Sequence, residues 1–206
     1  MSTGAKVVHN EWWNISERVY FMKNTYVTGY FPFFAILLFS SSLAISAVIY
    51  AMQLLSTFGI YEGMLEFFSE NGIRMALFVV FALISFMVFS ALKLIANTVT
   101  ELSLLFFAKD PEGANLRKIR IGSVIYLVAG LLSFIFVQFP VGIAALFLLA
   151  TLVYFIFIVY AIHSTLSFGS LIGFIMFELL FWFTFFIGTI YLIFKLYNGI
   201  MASLPA

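Results

Sequence analysis

The run MALFVVFALISFMVFSAL, residues 75–92, contains no charged side chain. At roughly 18 residues it has the length at which an α-helix crosses the hydrocarbon layer of a bilayer. It follows Arg74, an interfacial anchor, and continues without a helix breaker into the polar segment Lys93 to Glu101. Within that segment Lys93, Asn97 and Glu101 recur at intervals of four, so they form a polar stripe on one helix face. At ~1.5 Å per residue from Met75, Lys93 lies ~27 Å along, near the far edge of a ~30 Å slab, from where its amine snorkels to water. Residues 94–107 then read as an amphipathic tail. Lys109-Asp110-Pro111-Glu112-Gly113 ends it with proline and glycine punctuation.

Composition points the same way. The chain is 64% hydrophobic and only 9% charged, with a mean hydropathy of +1.14, too little polar surface to cover a soluble globule. Aromatic residues reach 20%, including 28 Phe, as suits lipid-facing surfaces and interfacial belts. A net charge of +1 offers no clustered basic surface for nucleic acid. With no cysteine, disulfides, thiolate metal sites and thiol nucleophiles are excluded. The fold class expected is all-α, a polytopic helical membrane protein with a bundle of about five transmembrane helices. Its predicted location is the cytoplasmic membrane of a bacterium.

The spans are predicted at about 30–55, 75–95, 121–139, 141–162 and 168–194, with residues 1–25 a polar lead before one membrane domain, 26–206. In the lead, Trp12, Ile15 and Val19 recur at helical spacing, which leaves two readings: a short helix at headgroup level or a frayed terminus. Asn14-Ile15-Ser16 matches a glycosylation acceptor but falls on the side expected to be cytoplasmic, a chance match. Met22 opens a more conventional start for a membrane protein, so an extended start over the first 21 residues is the alternative for this stretch. The first span is expected to carry Pro32 in its first turn, where a missing N–H costs nothing. Its Ser40, Ser41, Ser42 and Ser46 supply a small-xxx-small pair, Ser42 and Ser46, that admits a close neighbour; Ala47 and Ala51 are a second. Ala44 and Ser46 resemble a signal-peptide cleavage site, yet the apolar run continues past them, which favours a retained span.

Ser56 to Asn71 reads as an amphipathic interfacial helix with Glu62, Glu66 and Glu70 on one stripe, a solvated face in the plainer reading and a cation-attracting mouth in the other. The most basic loop, 108–120, holds Lys109, Arg117, Lys118 and Arg120, and positive residues stay inside. The N-terminus is therefore placed on the cytoplasmic side with it. An odd number of spans puts the C-terminus outside; an even number is the alternative. The third and fourth spans are separated only by Gln138-Phe139-Pro140, and one helix through both would measure ~63 Å, about twice the slab, so a hairpin is expected at Pro140. The fifth span opens on Gly169-xxx-Gly173, a weak packing signal in so apolar a context, and Lys195 anchors its outer end.

One charge falls well inside a predicted span. Glu178 lies ~15 Å in from Phe168, where an acid costs roughly 2.5 to 3.5 kcal/mol on insertion scales. It needs a partner or a proton. Two roles follow: a hydrogen-bonding acid that fixes one helix against another, or an intramembrane acid whose reversible protonation serves a proton- or cation-coupled carrier. Lys93 is a candidate partner, with an awkward vertical offset of roughly 10 Å. His163 reads as a loop histidine before it reads as a proton relay or metal ligand.

No nucleophile elbow, paired-histidine helix or phosphate-cradling glycine loop occurs. No enzyme activity, cofactor or metal is predicted, and no catalytic residue. Met22-Lys23-Asn24-Thr25-Tyr26 with Thr28-Gly29-Tyr30-Phe31-Pro32, and Ala91-Leu92-Lys93-Leu94-Ile95-Ala96 with Thr100-Glu101-Leu102-Ser103, resemble the YufK-like small membrane proteins of Bacillus-type Firmicutes. The likeness covers Met22 onward. It implies an uncharacterised multi-pass membrane group and carries over no activity or site residue. The functions expected are a non-catalytic accessory or assembly subunit or, as the alternative, a small carrier using Glu178 as an oligomer. The partners expected are the lipid bilayer and either another membrane protein or further copies of the chain, with no nucleic acid.

Overall fold

The computed structural model describes the backbone of residues 3–108 and 119–203 and the side chains of those from Gly29 onward. Every regular element among them is helical. The expectations for Trp12 and its neighbours, and for Lys109, Arg117 and Lys118, fall on side chains outside that description. The helices are α1 (Thr3–Thr57), α2 (Ile60–Leu65), α3 (Glu70–Phe107), α4 (Ser123–Leu132) continued by a 3-10 turn (Ser133–Phe136), α5 (Pro140–Ile162) and α6 (Phe168–Ser203). Helices dominate because hydrocarbon offers backbone N–H and C=O groups no partner outside the segment itself.

Two departures from the sequence expectation concern the first half. Pro32 lies inside α1 and not in its first turn, so one backbone hydrogen bond is forfeited mid-helix. The connection after α1 is not one amphipathic helix. Gly59 turns left-handed at φ 67°, a conformation that only glycine adopts without strain, and α2 stops after six residues. The Gly72 N–H then donates to the Ser69 hydroxyl at 3.2 Å, an N-cap that starts α3 afresh. Glu70 pairs with Arg74 one turn on; both are more than half exposed, so the pair contributes little.

The chain divides into two compact units, Met1–Leu92 with Arg117–Ile158, and Lys93–Leu116 with Val159–Ala206. In the first unit α1 and α4 run parallel, since the contacts rise together along both. A Cβ on Gly130 would stand 3.0 Å from Leu38 Cβ, the Ser133 hydroxyl donates to Ser42 Oγ at 2.7 Å, and the Tyr50 hydroxyl donates to the Gln138 carbonyl at 3.3 Å. Ser42 and Ser46 are both fully buried, the close approach that small residues permit. α4 and α5 form the antiparallel hairpin at Pro140, the first residue of α5, with Gly122 under Tyr154 and Phe157 at one end and Gly142 under Phe136 at the other. Midway, the Tyr126 hydroxyl donates to Thr151 Oγ1 at 3.1 Å.

Phe39, Phe89, Phe147 and Tyr126, one from each of α1, α3, α5 and α4, meet in a single aromatic cluster. Phe39 stands edge-on to Phe147 at 5.4 Å and Phe89 lies 5.1 Å from Phe147. Ala129, Ile143 and Ala150 complete that core. Among the described residues four helices are long and apolar enough to cross a membrane, Gly29–Thr57, Glu70–Phe107, Pro140–Ile162 and Phe168–Ser203, while Ser123–Phe136 is a shorter apolar helix. At ~1.5 Å per α residue and ~2.0 Å per 3-10 residue this last segment measures ~23 Å.

Candidate functional site

In the second unit the end of α3 lies antiparallel against the start of α6. Gly173 has no side chain where the Phe107 ring sits, and the Phe106 and Phe107 rings stand 6.1 and 6.3 Å from Phe177. Two turns back along α3, Thr100 meets Glu178, one turn beyond Phe174 on α6. The buried face of the α3 tail is thus Val99, Thr100, Ser103 and Leu104, and that of α6 is Phe174 and Glu178. Of the Gly169-xxx-Gly173 pattern only Gly173 is used; Gly169 opens onto space.

Glu178 is 4% exposed. The Thr100 hydroxyl and the Trp182 indole N–H are hydrogen-bond donors to its carboxylate, the second from one turn further along the same helix. Its Oε1 is buried and has no hydrogen-bond partner, and the same holds for the Ser103 hydroxyl, one turn from Thr100 on the α3 face turned toward α6. Ser103 is 0% exposed. Buried polar atoms in native folds are nearly always satisfied, so two orphans on facing helices mark this place.

The polar stripe turns elsewhere. Asn97 and Glu101 are exposed and Lys93 is half-buried, so the residues sharing a face with Lys93 are not the ones that meet Glu178. Lys93 lies two turns from Thr100, ~10 Å along the axis. The register also fixes the level of the acid. Thr100 is eight residues, ~12 Å, beyond the end of the apolar run at Leu92, so Glu178 stands beside the polar part of α3. His163 is exposed, bonded through Nδ1 to the Tyr160 carbonyl and stacked on the Tyr160 ring, a local turn contact.

Thr100, Ser103 and Trp182 were not singled out by the sequence. A tryptophan four residues after an intramembrane glutamate was a legible signal, because i and i+4 side chains touch on a helix. Thr100 and Ser103 carried none, since a hydroxyl in an apolar helix often bonds its own backbone. Thr98 does so, its hydroxyl donating to the Leu94 carbonyl at 3.0 Å.

Several long apolar helices, with one buried acid among the described residues held between two of them, define a multi-pass α-helical membrane protein. Comparison with known proteins narrows the class. The chain belongs to the DUF5366 family of unknown function, whose model matches residues 48–205. It is 66% identical over 184 residues to the uncharacterized membrane protein YufK of Bacillus subtilis (strain 168), covering 89% of this chain and 100% of that protein. No solved structure matches it.

Proposed function

We propose that the protein is a non-catalytic accessory or assembly subunit of the bacterial cytoplasmic membrane. The observation that carries this reading is the second half of α6. Beyond Phe185 every described residue to Ser203 is exposed, among them Ile190, Tyr191, Ile193, Phe194 and Tyr197, so none of this length of apolar helix is buried against another described helix. A continuous apolar helix face suits packing against another membrane helix. Purification from the native membrane in a mild detergent, with mass spectrometry of what travels along, tests it: a stoichiometric partner is expected, and a chain that always purifies alone would overturn it.

In this reading the N-terminus and loop 108–120 are cytoplasmic and the C-terminus is outside. The basic residues of the loop support the orientation, and the parallel α1 and α4, with antiparallel α4 and α5 and antiparallel α3 and α6, accord with five alternating passes. The natural absence of cysteine makes the test direct. Single cysteines placed at Ser2 and Ser203 are expected to react with a membrane-impermeant maleimide from opposite sides; labelling from one side sinks the five-pass topology.

A second reading, a small proton- or cation-coupled carrier acting as an oligomer, is favoured by the orphaned Oε1 of Glu178. The two part at Glu178→Gln. A coupling acid loses flux in proteoliposomes while the melting temperature moves by less than ~4 °C, about 1 kcal/mol for a chain of this size. An acid that only fixes helices leaves any flux intact and shows its loss in melting temperature alone.

A further inference from the structure

We propose that the Glu178 carboxylate and the hydroxyls of Thr100 and Ser103 form a binding site for one monovalent alkali cation. The proposal rests on the carrier reading and names its coupling ion. Its geometric basis is the antiparallel register of α3 and α6. Thr100 meets Glu178, and Phe107 meets Gly173 and Phe177. Ser103, between Thr100 and Phe107 on α3, therefore faces the interval of α6 that runs up to Glu178. All three side chains are buried, at 9% exposure or less, and Oε1 of Glu178 and Oγ of Ser103 both lack a hydrogen-bond partner. A cation engages both orphaned oxygens at once.

The donor set selects the ion. Every available ligand atom is oxygen, and carboxylate and hydroxyl oxygens suit hard cations and not the softer transition metals. The charge is a single carboxylate. Calcium draws on six to eight oxygens, several of them from carboxylates, and magnesium gives up its water reluctantly. Among the described residues no three His, Cys, Asp or Glu side chains come together. One negative charge in an apolar wall is matched by one positive charge, which removes the main cost of burying the carboxylate. The Trp182 N–H holds the carboxylate from its own helix and so fixes the direction of the remaining oxygen. Trp182 is also a reporter, because the other two tryptophans, Trp12 and Trp13, lie far along the sequence.

The test uses the purified full chain in lipid nanodiscs and sodium ion alone as probe. Equilibrium binding of radioactive sodium is expected to saturate near one ion per chain and to be lost in Glu178→Gln. Ser103→Ala and Thr100→Val, which each remove one oxygen and little volume, are expected to weaken binding about ten-fold. These two variants decide the matter if Glu178→Gln fails to fold. In a chain carrying Trp12→Phe and Trp13→Phe, Trp182 fluorescence is expected to change with sodium over the same concentration range.

Absent saturable binding, or binding that Ser103→Ala and Thr100→Val leave unchanged, overturns the site. Fluorescence that follows pH but never sodium makes this a proton site, which overturns the cation proposal and leaves the carrier reading standing. Saturable sodium binding without sodium flux in proteoliposomes keeps the site and sinks the carrier reading.

Discussion

Gly130→Leu is expected to lower stability by about 2–3 kcal/mol, the upper range for overpacking a close contact. The cause is the approach of α4 to α1. A Cβ at position 130 would stand 3.0 Å from Leu38 Cβ and 3.4 Å from the Ala35 carbonyl oxygen, and neither atom can rotate away, because both are fixed to the α1 backbone. Separation of the helices is the remaining response, and it breaks the 2.7 Å bond between Ser133 and Ser42. In a chain of this length each kcal/mol moves the melting temperature by roughly 2–4 °C, so thermal unfolding in detergent reads a fall of roughly 4–12 °C. Gly188→Ala is the control. No atom lies within 4 Å of its Cβ position, and alanine is the better helix former by up to about 1 kcal/mol. The same instrument should record no loss there. Equal losses at the two sites would mean that the parallel α1 and α4 contact does not form.

Phe39→Ala is expected to cost about 2–3 kcal/mol, and the reason differs from that in a soluble protein. The ring is 2% exposed and rests on Phe89 at 5.7 Å and Phe147 at 5.4 Å. Lipid tails are as apolar as a protein core, so the water-to-core transfer term nearly vanishes. What remains is lost dispersion and an unfilled cavity, at about 24 cal/mol per Å³ over a void on the order of 100 Å³. Phe183, 67% exposed on α6, tests that account: its replacement by alanine exchanges one apolar neighbour for another and is expected to leave the melting temperature unchanged. A loss at Phe183 as large as at Phe39 would show that α6 packs against something in the purified preparation.

The acid was legible from the sequence, and its setting was not. Glu178 stands out because an ionisable side chain in an uncharged run is costly wherever the helix lies. Its depth was counted along α6 alone, and the register with Thr100 sets it instead beside the polar part of α3. The stripe of Lys93, Asn97 and Glu101 is what helical spacing predicts; Asn97 and Glu101 are exposed, and the face one position round supplies the contacts. The interfacial helix expected over residues 56–71 yielded to local backbone chemistry, a left-handed Gly59 and the Ser69 cap, which periodicity does not weigh.

By itself the sequence determined that this is an all-helical membrane protein with several apolar segments long enough to cross a bilayer. Those conclusions need only chain length, charge and the rule that hydrocarbon leaves no backbone group unpaired. Which faces meet was decided only by the tertiary structure: α1 beside α4 through Gly130 and Ser133, three aromatic rings gathered around Phe147, and Thr100 with Ser103 opposite the segment that carries Glu178. In water, a hydrophobic stripe tells which face of a helix turns inward. In lipid both faces are apolar, so packing shape and a few buried hydroxyls choose the neighbours, and these become visible once the helices are set against one another.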